Sequence, residues 1–579
     1  MQRWITDTAT TDRFPLYTRG NADEVGPVPF PPLTWTLTWE QGAAPGTADG
    51  WVALGGFRPE EFRQPVPEVF GCWGGYFYNQ VSVGRVFGER MPGGSAQALD
   101  QAYFGSSADI PPYVPDPRDE DPELSARLGE TLAWVLSTDR IEFLDEFVEQ
   151  VRAWARARPD LSALSDVELV TYGREANRRL RRTWDVYAQI VIGASVGPGV
   201  VAGVAAAVGR PDAALSVFTS LGDVPTATTS REVWRLSRLV HGSPVLSDAF
   251  EAGVPGLLER LAADDSPAAQ EFGSSFAELL AEHGHRGPNE WDLASDSWLT
   301  NPSLALSMID QVRRQQDDAG PDARSGPGRE LRERTTAELL ELTAGDPATQ
   351  GLLQSAIRSG QLFYRLRETG KDAAVRVMLE AKLPFFELGR RLHARGALAA
   401  PEHVFQVLEP ELDELVAGGG LRDVLAERAV QFATLAERVP PYIVQHGSEI
   451  PPISHWPLRS AAADGAVAVA GEQLQGVGVS PGTVTGRVQV VGDLSEAEGL
   501  APGDVLVCAT TDPSWVPLFM VAGAVVCEIG AQASHAAIVS RELGVPCAVS
   551  VPQATSRLRT GSTVTVDGGT GTVTVTDAG

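Results

Sequence analysis

Cysteine and basic residues are scarce in this sequence, and each shortage excludes a class of protein. The four cysteines (Cys72, Cys508, Cys527 and Cys547) form no Cys-x-x-Cys pair, which argues against a zinc ribbon and a disulfide framework and favours a reducing cytoplasm. Lys and Arg total 47 against 75 Asp and Glu, so the 579 residues carry a formal net charge of −28. Because that field repels nucleic acid and anionic membranes, we expect neither as a partner.

Long hydrophobic runs are also scarce. The N-terminus has no apolar region typical of a signal peptide, and one uncharged stretch, 186–209, is long enough to span a bilayer. Gly197-Pro198-Gly199 interrupts that stretch, so we interpret it as a buried helix–turn–helix. The same residues fit the dinucleotide fingerprint Gly-x-Gly-x-x-Gly/Ala. Nicotinamide or flavin binding is therefore a rival hypothesis, although it needs alternating strands and helices that this region does not predict.

The composition is that of a globular protein, with 43% hydrophobic and 21% charged residues, and the length allows about two to four domains. Pro, Gly and aromatic residues are frequent in the first 120 residues, which predicts short helices and irregular segments there. Ser165-Asp166-Val167-Glu168 is a capping box. Helical periodicity then continues to about Arg438, for instance over 330–342, 352–366, 374–395 and 421–437.

The last hundred residues change character. Short β-rich runs separated by glycines predict strands over 484–491, 505–509, 524–529 and 563–566. Prolines and small residues before them predict a linker. We therefore expect a multidomain chain: a mostly α-helical N-terminal domain over 1–455, irregular in its first 120 residues, a linker over 456–471, and a C-terminal β/α domain over 472–579.

The C-terminal domain contains the most informative segment. Ser534 is suited to cap a helix over about 535–543, with Gly544 at the position after it. His535 then lies in the first turn, where the helix dipole and free N–H groups stabilise negative charge and disfavour the imidazolium. Neutral imidazole is nucleophilic, and a phosphoryl group placed on it would face those donors. A purely structural capping-region histidine is the alternative.

Two further constellations lie in the helical region. His283 to Ala294 brings together two imidazoles (His283, His285), a guanidinium (Arg286), two carboxylates (Glu290, Asp292) and Trp291. Such a loop can present a phosphate-binding arginine beside acid–base groups, or it can be a hydrogen-bonded turn between helices.

The second constellation is Arg367, Glu368 and Lys371. The two cations are four residues apart on one helix face and repel each other unless an anion lies between them. A solvated helix face is the alternative.

Residues 476–575 closely resemble the mobile phosphohistidine domain of phosphoenolpyruvate synthase, pyruvate phosphate dikinase and rifampin phosphotransferase. The matching pieces are residues 478–482, 486–488, 502–507, 511–515, 528–546 and 566–568. The resemblance implies that His535 is phosphorylated from ATP and that the domain then swings to a second site. Ala533 stands where dikinases commonly have Thr, and Gly530-Ala531 where the family has Gly-Gly.

Most of residues 17–410 resembles, more loosely, the acceptor-substrate domain of rifampin phosphotransferase. The matches are residues 19–21, 33–35, 221–224, 283–294, 367–371 and 389–392. The resemblance implies that Arg367 and Lys371 bind the phosphoryl group and that Glu368 or a residue of the His283 loop, His283 or His285, takes the acceptor proton. We also expect Arg286 and Ser534 to bind phosphate. Glu290, Trp291 and Asp292 are the expected substrate contacts.

Rifampin phosphotransferase-like proteins also carry an ATP-grasp domain, for which residues 1–579 offer no matching segment, and the phosphoenolpyruvate-forming barrel is missing as well. No Gly-x-x-x-x-Gly-Lys-Ser/Thr loop takes the place of the ATP-grasp domain. The Gly-Lys pair of the sequence, Gly370-Lys371, has Arg365 at the position of the first glycine. We expect a separate ATP-grasp subunit, as in phenylphosphate synthase, that binds ATP and Mg²⁺. No cofactor or metal is expected on this chain. The acceptor would be a hydroxylated organic small molecule with an apolar body. The alternative is a repurposed member that binds a small molecule or catalyses another reaction.

Overall fold

The structure is a computed structural model that describes residues 3–20, 22, 25–104, 110–222, 224–317, 320–459, 466–492, 494–511, 515–530 and 534–579. Helices make up most of the chain before residue 440. They are a π-helix (Thr34–Ala43), α1 (Ala44–Ala53), α2 (Val81–Arg90), α3 (Ala96–Phe104), α4 (Pro122–Ser137), α5 (Glu142–Arg156), α6 (Asp166–Ala207), α7 (Pro225–His241), α8 (Pro244–Glu251), α9 (Leu257–Ala262), α10 (Pro267–His283), α11 (Ser303–Arg313), α12 (Pro321–Leu342), α13 (Pro347–Ala394), α14 (Leu412–Val416), α15 (Arg422–Ala436), α16 (Val516–Val521), α17 (His535–Leu543) and α18 (Ala554–Arg557).

The strands belong to two sheets. They are β1 (Leu16–Thr18), β2 (Phe70–Trp73), β3 (Tyr76–Gln80), β4 (Ile443–Gln445), β5 (Gln473–Gln475), β6 (Val477–Ser480), β7 (Thr483–Val490), β8 (Val505–Cys508), β9 (Ala524–Cys527), β10 (Cys547–Val549), β11 (Thr563–Asp567) and β12 (Thr572–Asp577). Predominantly helical structure followed by a C-terminal β/α region confirms the predicted fold class.

Contacts within the chain define two compact units, and neither is a single stretch of sequence. Unit 1 comprises Met1–Val196, Trp291–Ala294 and Thr369–Ala463, and unit 2 comprises Gly197–Glu290, Ser295–Glu368 and Asp464–Gly579. The predicted boundaries at residues 455 and 472 stay predictions. Residues 460–465 of the predicted linker lie outside the described residues.

Unit 1 contains a four-stranded antiparallel sheet in the order β2-β3-β1-β4. Its strands are only three to five residues long, too short to show a clear alternation of polar and apolar residues, and the sequence analysis did not predict them. Aromatic rings fill the adjoining core. Trp39 stacks on Phe30 and also contacts Phe77, Trp184 and Trp291, with ring centroids 4.7–6.4 Å apart.

In unit 2, eight strands form one mixed sheet in the order β5-β12-β11-β7-β8-β9-β10-β6. The strands β7, β8, β9 and β10 pair in parallel, while the outer pairs are antiparallel. One face packs on a core shared with the helices of the unit: Met308 and Ile309 of α11 and Phe519 and Met520 of α16 belong to the same buried cluster. The C-terminal sheet and the helices 225–313 are therefore packed together.

The interpretation of 186–209 as a buried helix–turn–helix is wrong. α6 continues through Pro198 without a turn, and about a third of its most apolar 18-residue window is buried. By length and composition it is the one helix among the described residues able to cross a membrane, which is weak evidence because the core helices of globular proteins pass the same test.

Gly197 is needed for helix packing rather than for a turn. A Cβ at this position would come within 2.5 Å of the Ala356 carbonyl oxygen of α13. The dinucleotide fingerprint requires a glycine-rich turn between a strand and a helix. Because Gly197-Pro198-Gly199 lies inside a helix, that rival hypothesis is wrong.

Candidate functional site

The helix that carries His535 has the predicted bounds. Ser534 is buried, and its Oγ accepts a hydrogen bond from the Ala537 N–H at 3.1 Å, which caps the first turn of α17. The helix ends at Leu543, where Gly544 takes a left-handed conformation with φ 64°. His535 is thus the first helical residue, beside backbone N–H groups that no carbonyl of the same helix can satisfy.

Two residues orient the His535 ring. Thr511 Oγ1 lies 3.1 Å from His535 Nδ1, and Phe519 of α16 contacts the ring edge-to-face with centroids 6.1 Å apart. When Nδ1 donates its proton to Thr511, Nε2 carries the lone pair and is the nucleophilic nitrogen. The sequence analysis quoted Thr511 as part of a matching motif but assigned it no role. Residues 512–514 and 531–533, including Ala533, lie outside the described residues.

The first turn of α7 gathers two of the predicted acid–base residues. Thr226 Oγ1 donates to Glu368 Oε2 at 3.3 Å, and Thr229 Oγ1 lies 3.0 Å from His283 Nδ1. Thr229 also donates to the Pro225 carbonyl at 3.0 Å, so the shared hydroxyl must accept from His283 Nδ1–H. The neutral His283 ring is then basic at Nε2. Glu368 of α13 and His283 of α10 therefore both bind the beginning of α7, through threonines that are three residues apart.

Arg286 lies in the same part of unit 2. It lines a cavity of about 10 Å³ together with Thr226, Thr229, Ser230 and Trp298, and Val516, Pro517 and Met520 of α16 close the other side. A cavity of that size holds at most about one water molecule. Its lining is mostly apolar, and Trp298 Nε1 has no hydrogen-bond partner among the described residues. An organic acceptor does not fit here while α16 covers it.

The remaining predicted loop residues divide between the two units. His285, Arg286 and Glu290 are buried in unit 2, and Arg286 pairs with Glu290 at 3.4 Å. Asp292 belongs to unit 1, where its carboxylate accepts from Thr34 Oγ1 at 2.5 Å and from the Ala294 N–H at 3.0 Å.

Trp291 also belongs to unit 1. It packs in the aromatic core, with its ring centroid 5.0 Å from that of Trp184. The proposed substrate contacts of Glu290, Trp291 and Asp292 stay predictions.

Arg367, Glu368 and Lys371 lie on α13, the first two in unit 2 and Lys371 in unit 1. Glu368 is buried, while Arg367 and Lys371 are half-buried. Burial lowers the pKa of the Arg541 guanidinium, and the positive charge of Arg367 lowers it further, against the raising effects of Tyr364, Cys547 and Glu542. Arg367 and Arg541 are thus near enough to interact electrostatically.

The sequence analysis missed Thr226 and Thr229. Both face residues more than 50 positions away along the chain, Glu368 and His283. The only local signal was Pro225, which favours the first position of a helix and so placed both threonines in a first turn.

Unit 1 contains a larger cavity of about 320 Å³. Trp35 and Phe70 form apolar walls, and Asp7, Glu40 and Arg63 supply charged groups. Burial raises the pKa of both carboxyl groups, against the lowering effect of the backbone N–H groups on Asp7 and of the Trp35 indole on Glu40. Among the residues that the structure describes, no group of three or more His, Cys, Asp or Glu is arranged to hold a metal ion.

Two segments of the chain match known protein families. Residues 188–368 match the family described as rifampicin phosphotransferase fourth domain, and residues 500–571 match the PEP-utilising enzyme mobile domain.

Three relatives illustrate the similarity. A phosphotransferase of Bacillus subtilis, YvkC, is 30% identical over 365 residues, covering 60% of this chain and 41% of the relative. A rifampicin phosphotransferase of Streptomyces sviceus is 29% identical over 317 residues, covering 53% and 35%. A phosphoenolpyruvate synthase of Pyrococcus furiosus is 51% identical over 100 residues, covering 17% and 12%.

The chain therefore spans well under half the length of the relatives it matches. The two segments that match contain His283 and Glu368 in one case and His535 in the other. Residues 188–368 are thus similar to the rifampicin phosphotransferase fourth domain, and residues 500–571 are similar to the mobile domain of PEP-utilising enzymes.

Proposed function

We propose that this chain is a phosphotransferase component that carries a phosphoryl group on His535 and delivers it to a hydroxyl group of an organic small molecule. The observation that carries the proposal is the position of His535, at the first turn of a Ser534-capped helix with Thr511 on Nδ1. That geometry leaves Nε2 as the nucleophile and directs backbone N–H groups towards the negative charge of a bound phosphoryl group.

In the first half-reaction, the Nε2 lone pair of His535 forms a bond to phosphorus while the bond from phosphorus to the departing phosphate oxygen breaks. The donor is ATP, held with Mg²⁺ by a separate ATP-grasp subunit. Nδ1 keeps its proton and its hydrogen bond to Thr511 throughout, so the ring neither gains nor loses a proton. The nitrogen–phosphorus bond stores the phosphoryl group until the acceptor is available.

In the second half-reaction, an acceptor hydroxyl oxygen forms the new bond to phosphorus, the bond from phosphorus to Nε2 breaks, and Nε2 regains its lone pair. Arg286 and two residues of α13, Arg367 and Lys371, would stabilise the charge in transfer. Glu368 or His283 would take the hydroxyl proton, which the hydrogen bonds of both residues to the first turn of α7 support. His285 is the third candidate.

The acceptor is proposed to be a hydroxylated small molecule with an apolar body. Taken by itself, unit 1 contains a cavity of about 320 Å³ with Trp35 and Phe70 in its walls, and organic ligands occupy cavities of about 300 to 1,000 Å³. A cytoplasmic location accords with four cysteines that are all buried and that form no disulfide in the described part of the chain.

The test uses the purified chain and a candidate ATP-grasp protein. Both are incubated with ATP labelled at the β position, and acid-labile label on the chain is measured, with His535→Ala as the variant and His446→Ala as the matched control. His446 lies in unit 1, where its Nδ1 bonds Thr10. We expect label on the wild type and on His446→Ala and none on His535→Ala.

Absence of label on the wild type, with an ATP-grasp protein shown to be active on another histidine domain, would sink the proposal. A repurposed binding protein would then be the remaining function, and ligand binding should survive in His535→Ala.

A further inference from the structure

The last turn of the His535 helix makes a second contact in unit 2 that has no part in the chemistry described above. We call it the docking contact and define it by Ser220, Leu221 and Gly222 on one side and Arg541 and Glu542 on the other. Glu542 accepts hydrogen bonds from the backbone N–H of Leu221 at 2.9 Å and of Gly222 at 3.0 Å, one on each carboxylate oxygen. Ser220 donates from its N–H and Oγ to the Arg541 carbonyl at 3.2 and 3.1 Å.

The loop of the docking contact is shaped before Glu542 meets it. Ser220 and Gly222 both have positive φ, 47° and 85°, which turns successive N–H groups to one side. Arg332 of α12 donates to the carbonyl oxygens of Thr219 and Ser220 on the other side. The loop therefore presents two N–H donors and a nearby positive charge, which is a binding site for one carboxylate.

The cost of burying Glu542 indicates that the contact is specific. Glu542 is 9% exposed. Burial raises the pKa of its carboxyl group, while the hydrogen bonds from the backbone N–H groups of Gly222 and Leu221 lower that pKa. The negative charge of Glu368 also raises this pKa and the charge of Arg332 lowers it. A buried carboxylate is tolerated when its oxygens are hydrogen-bonded, and here both are.

Glu542 is too far from the reacting nitrogen to take part in the transfer. It lies seven residues after His535 on the same helix, which corresponds to roughly 10 Å along the helix axis. It can still fix the direction of that axis, because it holds one end of α17 while Phe519 contacts His535 at the other. The arrangement suits a residue that positions the histidine without touching the phosphoryl group.

We infer that Glu542 is a positioning residue that holds the C-terminal domain against the helices of unit 2 in the docked pose of this structure. It binds the N–H groups of Leu221 and Gly222 in that pose and releases them when the domain leaves to be charged. The kinetic consequence rests on the proposed phosphoryl transfer, whereas the contact itself does not.

The experiment measures amide hydrogen exchange and His535 charging in the full chain. The variants are Glu542→Ala, which removes both acceptors, and Glu542→Gln, which keeps one acceptor oxygen. Asp577→Asn is the matched control, because it removes one carboxylate from the same domain at the exposed end of β12. Exchange is followed in peptides covering 216–222.

In Glu542→Ala we expect exchange of the Leu221 and Gly222 amides to rise at least tenfold, with a smaller rise in Glu542→Gln and none in Asp577→Asn. Charging of His535 by the candidate ATP-grasp protein should be as fast as in the wild type or faster, because the domain is released from the docked pose. A variant that had merely lost structure would charge more slowly.

Unchanged exchange at 216–222 in a folded Glu542→Ala would overturn the inference, as would slower charging than in the wild type. Failure of the proposed function gives a different result: the wild type takes no label, yet the exchange measurement still reports on the docking contact.

Discussion

Thr511 shares a hydrogen bond with the His535 ring. A neutral imidazole carries one proton, and in the tautomer in which Nδ1–H donates to Thr511 Oγ1, 3.1 Å away, Nε2 carries the lone pair. Thr511 is 5% exposed, so water does not replace the hydroxyl easily. We therefore propose that the pair sets both the tautomer and the direction of the ring.

We predict that Thr511→Val slows the charging of His535 between about 2- and 12-fold, the value of one net hydrogen bond of about 0.5 to 1.5 kcal/mol. Valine has the same shape, so the fold is expected to persist. Thr511→Ser should retain most of the rate, because the hydroxyl remains. The measurement is the initial rate of acid-labile labelling with the ATP-grasp subunit.

Thr485→Val is the matched control for this prediction. Thr485 lies on β7, is exposed, and shares a hydrogen bond with Thr565 on the neighbouring strand. Its variant should charge at the wild-type rate. Equal rates for Thr511→Val and the wild type would show that the hydroxyl does not select the tautomer.

Local residue signals could be read from the sequence, and long-range partners could not. Ser534, His535 and Gly544 occupy the predicted capping and terminal positions because helix capping depends on a few neighbouring residues. Thr226 meets Glu368 across 142 positions of the chain, and Glu542 meets Leu221 across 321. Such contacts follow from tertiary packing, on which one sequence without relatives carries no information.

At the scale of elements, α12 supports the docking contact through a glycine. A Cβ on Gly328 would lie 2.1 Å from Ser220 Oγ, so a side chain here would displace the hydroxyl that donates to the Arg541 carbonyl. Gly351 of α13 has no neighbouring atom within 4 Å of its Cβ position. Comparing the two glycines therefore separates the effect of helix propensity from the effect of close packing.

We predict different outcomes for Gly328→Ala and Gly351→Ala. Alanine favours a helix over glycine by about 1 kcal/mol, so Gly351→Ala should raise the free energy of unfolding by up to that amount. Gly328→Ala should raise it less and should increase amide exchange in peptides covering 216–222, because the Ser220 hydroxyl is displaced from the Arg541 carbonyl. Urea denaturation and hydrogen exchange measure both effects. Similar behaviour of the two variants would mean that the loop does not depend on Gly328.

Element types were easier to predict than element limits. The periodic runs 352–366 and 374–395 are both helical, but they join into the single helix α13, and Pro384 does not end it. The short strands β1 to β3 and the ten-residue π-helix gave no recognisable periodicity. In the C-terminal domain, β7, β8, β9 and β11 match the predicted runs to within two residues, because glycines mark their ends.

At the scale of the whole molecule, both sides of the docking contact belong to one chain and one compact unit. Two groups joined by a chain meet at an effective concentration in the millimolar range when the connection allows it. Contacts between separate chains at micromolar concentration would be rarer by about a thousandfold. The net charge of −28 further disfavours association between copies.

We therefore predict that the docking contact does not depend on protein concentration. Exchange of the Leu221 and Gly222 amides should be the same at about 50 μM and at about 0.5 μM chain. These two concentrations differ about a hundredfold, and both lie well below the effective concentration within one chain. Glu542→Ala should exchange fast at both concentrations, which controls for the intrinsic rate of the loop. If protection in the wild type fell on dilution, Glu542 would be binding the loop of a second copy, and delivery from His535 would then occur between chains rather than within one.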